Sequence, residues 1–241
     1  AIKEGTKTVA TFTKNGVIPV TSVKGNTYTI NKKYTFTAEN VVETDEKATW
    51  PGSYKQSYEV TLTAQNAAGL YNAQGKKFAE IPAKSKVKLV NMTDEFGVIR
   101  ILDSTVFINM KDFKHNNLIA GEKILTHHEM NYKLKVFAML YPEFMKLEEI
   151  GKSVEGRSIM ALTVGSGKKE ILMDAAMHAR EHMTTNVLME MVDQYSYHYI
   201  HNSKMDGYNV RNVLDRVKIT FVPMINADGV TLVQGGKVST P

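Results

Sequence analysis

The sequence predicts a multidomain chain in which two small all-β barrels precede an α/β domain. In the first half, short segments alternate β-branched or aromatic residues with Thr and Lys, and turn residues such as Asn15-Gly16 separate them. This alternation is typical of antiparallel hairpins. From residue 126 the hydrophobic period changes from two to 3.6, and helical segments alternate with apolar strands. Such an order indicates an α/β domain with a largely buried sheet.

The β region divides at a cluster of chain-breaking residues, Trp50-Pro51-Gly52-Ser53, which we interpret as a linker. Strands are predicted on both sides of it, at residues 8–13, 17–23, 27–30, 33–37, 59–63, 86–90, 97–101 and 105–108. Two units of about 50 residues, 1–55 and 58–114, favour tandem small barrels over a single sandwich.

The α/β domain is assigned to residues 118–241. Its first helix places Leu134, Phe137 and Tyr141 on one face and ends at Pro142. The elements predicted after it are strands at 146–150, 158–164 and 171–176, a long helix at 184–201, a helical turn at 210–214 and an apolar strand at 217–225. The run 170–177 has the composition of a mostly buried strand.

The candidate metal-binding residues lie between that predicted strand and the long helix. His178 and Glu181 are three residues apart in a predicted tight turn. A neutral imidazole and a carboxylate are ordinary Zn²⁺ donors, and a turn allows both to point at one ion. The pair is therefore a candidate for two ligands of a single zinc.

The amino-acid composition limits the kinds of metal site and of binding partner that this chain could have. The chain has 241 residues, no cysteine and a net charge of +5, so a transition-metal site must use His and carboxylates. Residues 1–115 hold 16 Lys and Arg against 11 Asp and Glu, which accounts for the whole excess. This excess fits a solvated face or weak attraction to an anionic polymer. A single Arg in that half disfavours nucleic acid as a partner, and no apolar run is as long as a membrane span.

Three segments of the α/β region resemble, in order, the zinc metallocarboxypeptidase family of the carboxypeptidase A and T type. They are Ile150-Gly-Lys-Ser-Val-Glu-Gly-Arg157-Ser-Ile159, His178-Ala-Arg180-Glu181 and Pro223-Met-Ile-Asn226-Ala-Asp228-Gly229. The β units resemble bacterial SH3-like modules, residues 58–113 more closely than residues 6–55. The expected architecture is therefore two SH3-like barrels followed by a mixed-sheet carboxypeptidase-like domain.

The resemblance implies one Zn²⁺ ion, a metal-activated water nucleophile and a Glu general base. His178 and Glu181 carry over as metal ligands. Arg180 carries over as a substrate-binding residue, because a guanidinium fork suits carboxylate and carbonyl oxygens. Bacterial relatives with SH3-like modules act on peptidoglycan stem peptides at γ-D-glutamyl–diaminopimelate bonds. The expectation is therefore a secreted or cell-wall-associated bacterial peptidase whose substrates are peptidoglycan peptides.

The family pattern also has a third zinc ligand, an Arg-Asn-Arg substrate-binding set and the general base, all after the segment 223–229. We expect these groups beyond Pro241, so the chain by itself is expected to hold a half-built, inactive site. A C-terminal companion fragment of the same protein is the expected partner, since the Gly-, Ser- and Pro-containing stretch 234–241 is typical of an exposed loop. Without that companion, the strand at 217–225 is expected to expose its edges.

Three alternatives stay open. The string from His178 to His182 also reads H-x-x-E-H, in which both His bind zinc from a helix and Glu181 acts as the base; this needs residues 177–182 to be helical. A polar turn without metal would explain the same residues. Finally, the protein could be a non-catalytic cell-wall-binding protein with a remnant peptidase domain, as a reading frame that stops at Pro241 would indicate.

Overall fold

The computed structural model describes residues 1–4, 6–39, 41–121 and 123–236, arranged as two compact units. The first unit comprises residues 1–116 and the second begins at Asn117. The predicted loop at 234–241 lies, from residue 237 onward, outside the described residues. Within the described ranges, no helix is both long and apolar enough to cross a membrane.

The first unit is built from short strands. They are β1 (Ile2–Glu4), β2 (Lys7–Phe12), β3 (Ser22–Lys24), β4 (Thr27–Ile30), β5 (Tyr34–Thr37), β6 (Val60–Ala64), β7 (Ala68–Tyr71), β8 (Lys77–Ile81), β9 (Lys86–Met92), β10 (Gly97–Ile101), β11 (Ser104–Ile108) and β12 (Phe113–His115). All the pairings among them are antiparallel, as the alternation predicts. The predicted strand at 17–23 is wrong over most of its length, because only its end belongs to β3 and Pro19 cannot donate to a ladder.

Two sheets form this unit. Nine strands follow the order β1-β2-β8-β7-β11-β10-β9-β6-β12, and three follow the order β3-β4-β5. Within the nine-stranded sheet, β1 and β2 are connected to the other strands by the pairing of β2 with β8, where Thr11 lies opposite Glu80. One compact unit therefore covers both predicted β modules, and its division into two SH3-like barrels at 1–55 and 58–114 stays a prediction.

The segment interpreted as a linker is anchored to the first unit. Pro51 is buried, and the hydroxyl of Thr105 in β11 donates to the Pro51 carbonyl at 2.5 Å. The Trp50 indole packs edge-on against Phe78 with ring centroids 5.4 Å apart. These contacts fix the breaker cluster against the sheet, so it does not act as a loose connection.

The second unit alternates helices and strands. Its elements are α1 (His127–Leu140), β13 (Met145–Lys152), β14 (Ser158–Val164), β15 (Lys169–Asp174), α2 (Met183–Ile200), β16 (Lys204–Met205), β17 (Tyr208–Asn209), α3 (Val210–Leu214), β18 (Val217–Val222) and α4 (Ala227–Val233). Four strands form a sheet in the order β13-β14-β18-β15. Only β15 and β18 run parallel, so the mixed sheet that the resemblance implies is confirmed.

The two long helices begin and end close to where the sequence predicts. Thr126 caps α1, since its hydroxyl accepts a hydrogen bond from the Glu129 N–H at 3.2 Å. The α1 face predicted to be apolar does bury Leu134 and Phe137 completely. In α2, Leu188 and Val192 are buried.

The burial of β15 contradicts the sequence prediction. The run 170–177 was expected to be a mostly buried strand, yet Ile171 is 43% exposed and Leu172 is 66% exposed. The reason is position: β15 is the terminal strand of the order, whereas β18 lies between β14 and β15. The expectation that residues 217–225 expose their strand edges is therefore wrong too, because β18 has a neighbour on each side and the open edges belong to β13 and β15.

Candidate metal centre

The candidate site lies where the chain leaves β15. Ala175 and Ala176 are buried, and Ala176 adopts a left-handed backbone conformation with φ of 53° that turns the chain sharply. The Ala176 N–H donates to Oγ1 of Thr184 at 2.9 Å, and that hydroxyl donates to the Glu181 carbonyl at 2.7 Å. Thr184 therefore fastens the entry and the exit of the turn to each other.

His178 and Glu181 meet on this turn. His178 is extended, with φ −97° and ψ 136°, and starts a 3-10 turn over Ala179–Glu181. The Glu181 N–H donates to the His178 carbonyl at 3.0 Å, which brings the two side chains to the same side. Nδ1 of His178 and Oε2 of Glu181 are 3.0 Å apart, and the side chains are 74% and 55% exposed.

This spacing fits two donors of one metal ion. Two ligand atoms bound to a tetrahedral zinc lie about 3.3 Å apart, given the usual zinc–nitrogen and zinc–oxygen distances. The observed separation is close to that value, and both donor atoms face each other from a rigid turn. A catalytic zinc site uses three protein ligands, and among the described residues no group of three or more His, Asp or Glu side chains could hold a metal. The pair therefore fits as part of a site.

Arg180 and His182 lie on the same stretch but differ in setting. Arg180 is exposed within the 3-10 turn, and its role in substrate binding stays a prediction. His182 is the N-cap of α2, and its Nδ1 is enclosed with no hydrogen-bond partner among the described residues. Because His178 is extended and only His182 borders the helix, the helical H-x-x-E-H arrangement is contradicted.

The segment 223–229 holds the turn from its other side. The Asn226 backbone N–H donates to the Ala176 carbonyl at 3.2 Å, and its side-chain Nδ2 donates to the Met177 carbonyl at 3.1 Å. The same side chain caps α4, since its Oδ1 accepts from the Gly229 N–H at 3.0 Å. Asn226 thus fixes the two peptide groups that precede His178 and ties them to the start of a helix.

Gly229 lets α4 approach the turn that carries His178 and Glu181, which we call the metal turn. A Cβ at this position would lie 2.9 Å from the Cβ of Ala179 and 2.7 Å from Oδ1 of Asn226. Both distances are shorter than normal contacts, so only glycine allows α4 to pack at the observed distance. The glycine of the N-x-D-G segment is therefore explained by close packing against the candidate ligands' own turn.

The third matching segment joins the first through Asp228. Its carboxylate accepts hydrogen bonds from Ser153 Oγ at 2.8 Å, the Glu155 N–H at 3.0 Å and Arg157 Nη1 at 2.6 Å. Burial acts to raise the pKa of Asp228, but the hydrogen bonds from Glu155, Ser153 and Arg157 outweigh it and hold that pKa below its ordinary value. The strand-turn-strand at 150–159 is thereby locked to the start of α4.

The structure thus brings together the three segments that carry the resemblance. It places His178 and Glu181 as a facing pair and leaves Arg180 exposed beside them. Asn226, Asp228 and Arg157 belong to the matching segments, but the sequence alone indicates no role for them. Their spacing gives no hint of these contacts, because Arg157 and Asp228 are 71 positions apart in the sequence.

Comparison with known proteins finds a match over the same part of the chain. Residues 130–238 match the family model of the zinc carboxypeptidases. The match lies within the second unit and includes all the residues of the candidate metal centre. The carboxypeptidase-like region of the chain is thus the part that begins in α1.

Two curated relatives and one solved structure illustrate the similarity. The protein named Uncharacterized protein YqgT of Bacillus subtilis is 32% identical over 139 residues, covering 56% of this chain and 37% of that protein. Gamma-D-glutamyl-L-diamino acid endopeptidase 1 of Lysinibacillus sphaericus is 29% identical over 119 residues, covering 49% of this chain and 30% of that protein. Bovine thrombin-activatable fibrinolysis inhibitor aligns with a TM-score of 0.41 at 23% identity, covering 47% of this chain and 35% of that chain. The chain spans about a third of the length of the curated relatives it matches.

Proposed function

We propose that this chain is part of a zinc-dependent peptidase that cleaves bacterial cell-wall peptides at γ-D-glutamyl–diaminopimelate bonds. The observation that carries the proposal is the facing pair of donors, Nδ1 of His178 and Oε2 of Glu181, 3.0 Å apart. The match of residues 130–238 to the zinc carboxypeptidases supports the metallopeptidase chemistry. The relative from Lysinibacillus sphaericus supports the substrate class, since its name specifies a γ-D-glutamyl-L-diamino acid endopeptidase.

In this proposal each residue of the turn has a distinct task. His178 and Glu181 would hold the zinc, and Asn226 and Thr184 keep their turn rigid. When bound, zinc supplies Lewis-acid polarisation of the scissile carbonyl and lowers the pKa of a water molecule. Arg180 binds a carboxylate or carbonyl oxygen of the peptide through its guanidinium fork.

The third ligand and the general base are proposed to come from a C-terminal companion segment of the same protein. This part of the proposal is supported by the two-donor site and by the greater length of the relatives. The complete enzyme is proposed to be secreted or associated with the cell wall. The excess of lysine in the first unit would hold it near anionic wall polymers through long-range attraction.

The test compares residues 1–241 with the complete protein. We expect the 241-residue chain to bind Zn²⁺ weakly in calorimetry and to leave an L-Ala–γ-D-Glu–diaminopimelate peptide intact, because two donors do not make a catalytic site. The complete protein should bind zinc tightly and hydrolyse the peptide. H178A and E181A in the complete protein should abolish both properties.

Two matched variants control for nonspecific damage. H128A removes an exposed histidine of α1, and E148Q removes an exposed carboxylate of β13. Both should leave zinc affinity and hydrolysis unchanged. Full hydrolysis by residues 1–241 alone would contradict the carboxypeptidase-like assignment.

A non-catalytic wall-binding protein is the second candidate. It is favoured by the same two-donor observation, because within the described residues the site lacks a third ligand. If this candidate is correct, the complete protein should adsorb to purified wall material yet fail to hydrolyse its peptides, with or without added zinc.

A further inference from the structure

A cleft opens in the first unit, remote in sequence from the candidate metal centre. It encloses about 510 Å³ and is lined by residues of β2, β8, β9 and β10. Five aliphatic residues of its lining, which we call the floor, are shielded from solvent: Ile81 and Val90 are buried, and Val9, Val87 and Ile101 are half-buried. A concave aliphatic floor of this kind favours a ligand that carries apolar side chains.

The rim of the cleft is cationic. Lys86, Lys88 and Arg100 line it and are exposed, and none of the described lining residues is acidic. Lys88 lies 3.5 Å from Glu59, but the two side chains are 78% and 89% exposed, so solvent screens this pair strongly. Arg100 Nη2 donates to the Tyr54 carbonyl at 3.4 Å, a distance at the weak end of hydrogen bonding.

We propose that this cleft is a binding site for an acidic peptide whose carboxylates alternate with aliphatic side chains. The guanidinium of Arg100 can bind a carboxylate through two parallel N–H groups, and the two lysines add charge on the same rim. A polyphosphate chain would use the rim alone and leave the aliphatic floor without a partner. The combination of floor and rim therefore favours a peptide, and the site does not depend on the proposed peptidase activity.

The test measures peptide binding to the whole chain by fluorescence anisotropy at low salt. The probe is a fluorescein-labelled hexapeptide that alternates glutamate and valine, and its control has glutamine in place of glutamate. We expect R100Q to weaken binding of the glutamate peptide by about ten-fold, since a hydrogen bond to a charged group is lost. K86Q and K88Q should each weaken it by about three-fold, the effect of removing one exposed charge.

Two further variants separate the cleft from general charge attraction. V87T keeps the shape of the floor but adds a hydroxyl, and should weaken binding by about three-fold. K24Q removes an exposed lysine of β3 that does not line the cleft, and should leave binding within about two-fold. Circular dichroism should show that all the variants keep the wild-type fold.

Equal affinity for the glutamate and glutamine peptides would overturn the proposal. So would a K24Q effect as large as that of R100Q, which would indicate attraction by net charge alone. Displacement of the peptide by poly(glycerol phosphate), together with no effect of V87T, would assign the rim to an anionic polymer and also reject the peptide site.

Discussion

The carboxylate of Asp228 offers the most direct test of how the candidate metal centre is held. In Asp228→Asn, the amide oxygen can still accept from Ser153 and Arg157, but the amide NH₂ then faces the Glu155 N–H, which donates to Oδ2 at 3.0 Å. The change therefore removes one hydrogen bond, sets two donors against each other and removes the carboxylate charge that faces Arg157.

The expected cost follows from these contacts. A hydrogen bond to a charged group contributes about 1.5–3 kcal/mol, and removing a carboxylate that pairs with an Arg adds to this cost when the pair is buried. Solvent reduces the second effect here, because the side chains of Arg157 and Asp228 are 21% and 20% exposed. We therefore expect Asp228→Asn to lower the free energy of unfolding of the second unit by about 2–3 kcal/mol at neutral pH.

The molecule provides separate probes for its two units. All four described α-helices lie in the second unit, so far-ultraviolet circular dichroism during urea unfolding reports mainly on it. Trp50, the single tryptophan, lies in the first unit and reports on that unit by fluorescence. Asp228→Asn should shift the dichroism transition to lower urea and leave the fluorescence transition in place.

The pH dependence gives an independent check. Because the pKa of Asp228 in the folded chain lies below its ordinary value of 3.8, its contribution is complete above that value and is lost as the pH falls through the lower folded pKa. Asp228→Asn should therefore remove part of the acid destabilisation. The control Glu148→Gln breaks an exposed pair with Lys146 and should change stability by less than about 0.5 kcal/mol. Equal shifts for the two variants would refute the reasoning.

Three further predictions concern the metal turn and the wall. Gly229→Ala should destabilise the second unit by about 1–2 kcal/mol, seen as a lower urea midpoint in circular dichroism, because its Cβ would meet Ala179; an unchanged or higher midpoint would contradict the close packing. In the complete protein, Arg180→Ala should raise KM for the wall peptide while zinc affinity stays within about two-fold, since we propose that its guanidinium contacts the peptide and not the metal; a parallel loss of zinc would count against that role. The whole chain should adsorb to purified wall material, and adsorption should weaken above roughly 0.1 M salt, where the Debye length falls below about 10 Å; salt-insensitive adsorption, measured by depletion from solution, would exclude charge attraction.

Local pattern determined many of the elements of this protein and the first two residues of its candidate site. The predicted segments 27–30, 97–101, 158–164 and 210–214 coincide with β4, β10, β14 and α3. The pairing of His178 with Glu181 was equally predictable from the sequence, because a separation of three residues in a tight turn limits the distance between two side chains. Such features depend on interactions between near neighbours, which a single sequence displays directly.

Tertiary structure decided which strands are buried and what holds the site. Composition made the run 170–177 look like a core strand, but burial depends on the neighbours a strand acquires, and β15 lies at the end of its sheet. The Asp228 contacts with Ser153 and Arg157 join positions 75 and 71 residues apart. The β2–β8 pairing likewise extends one sheet across both predicted β modules. These contacts bring distant segments together only when the whole unit packs, so the order of residues along the chain does not reveal them.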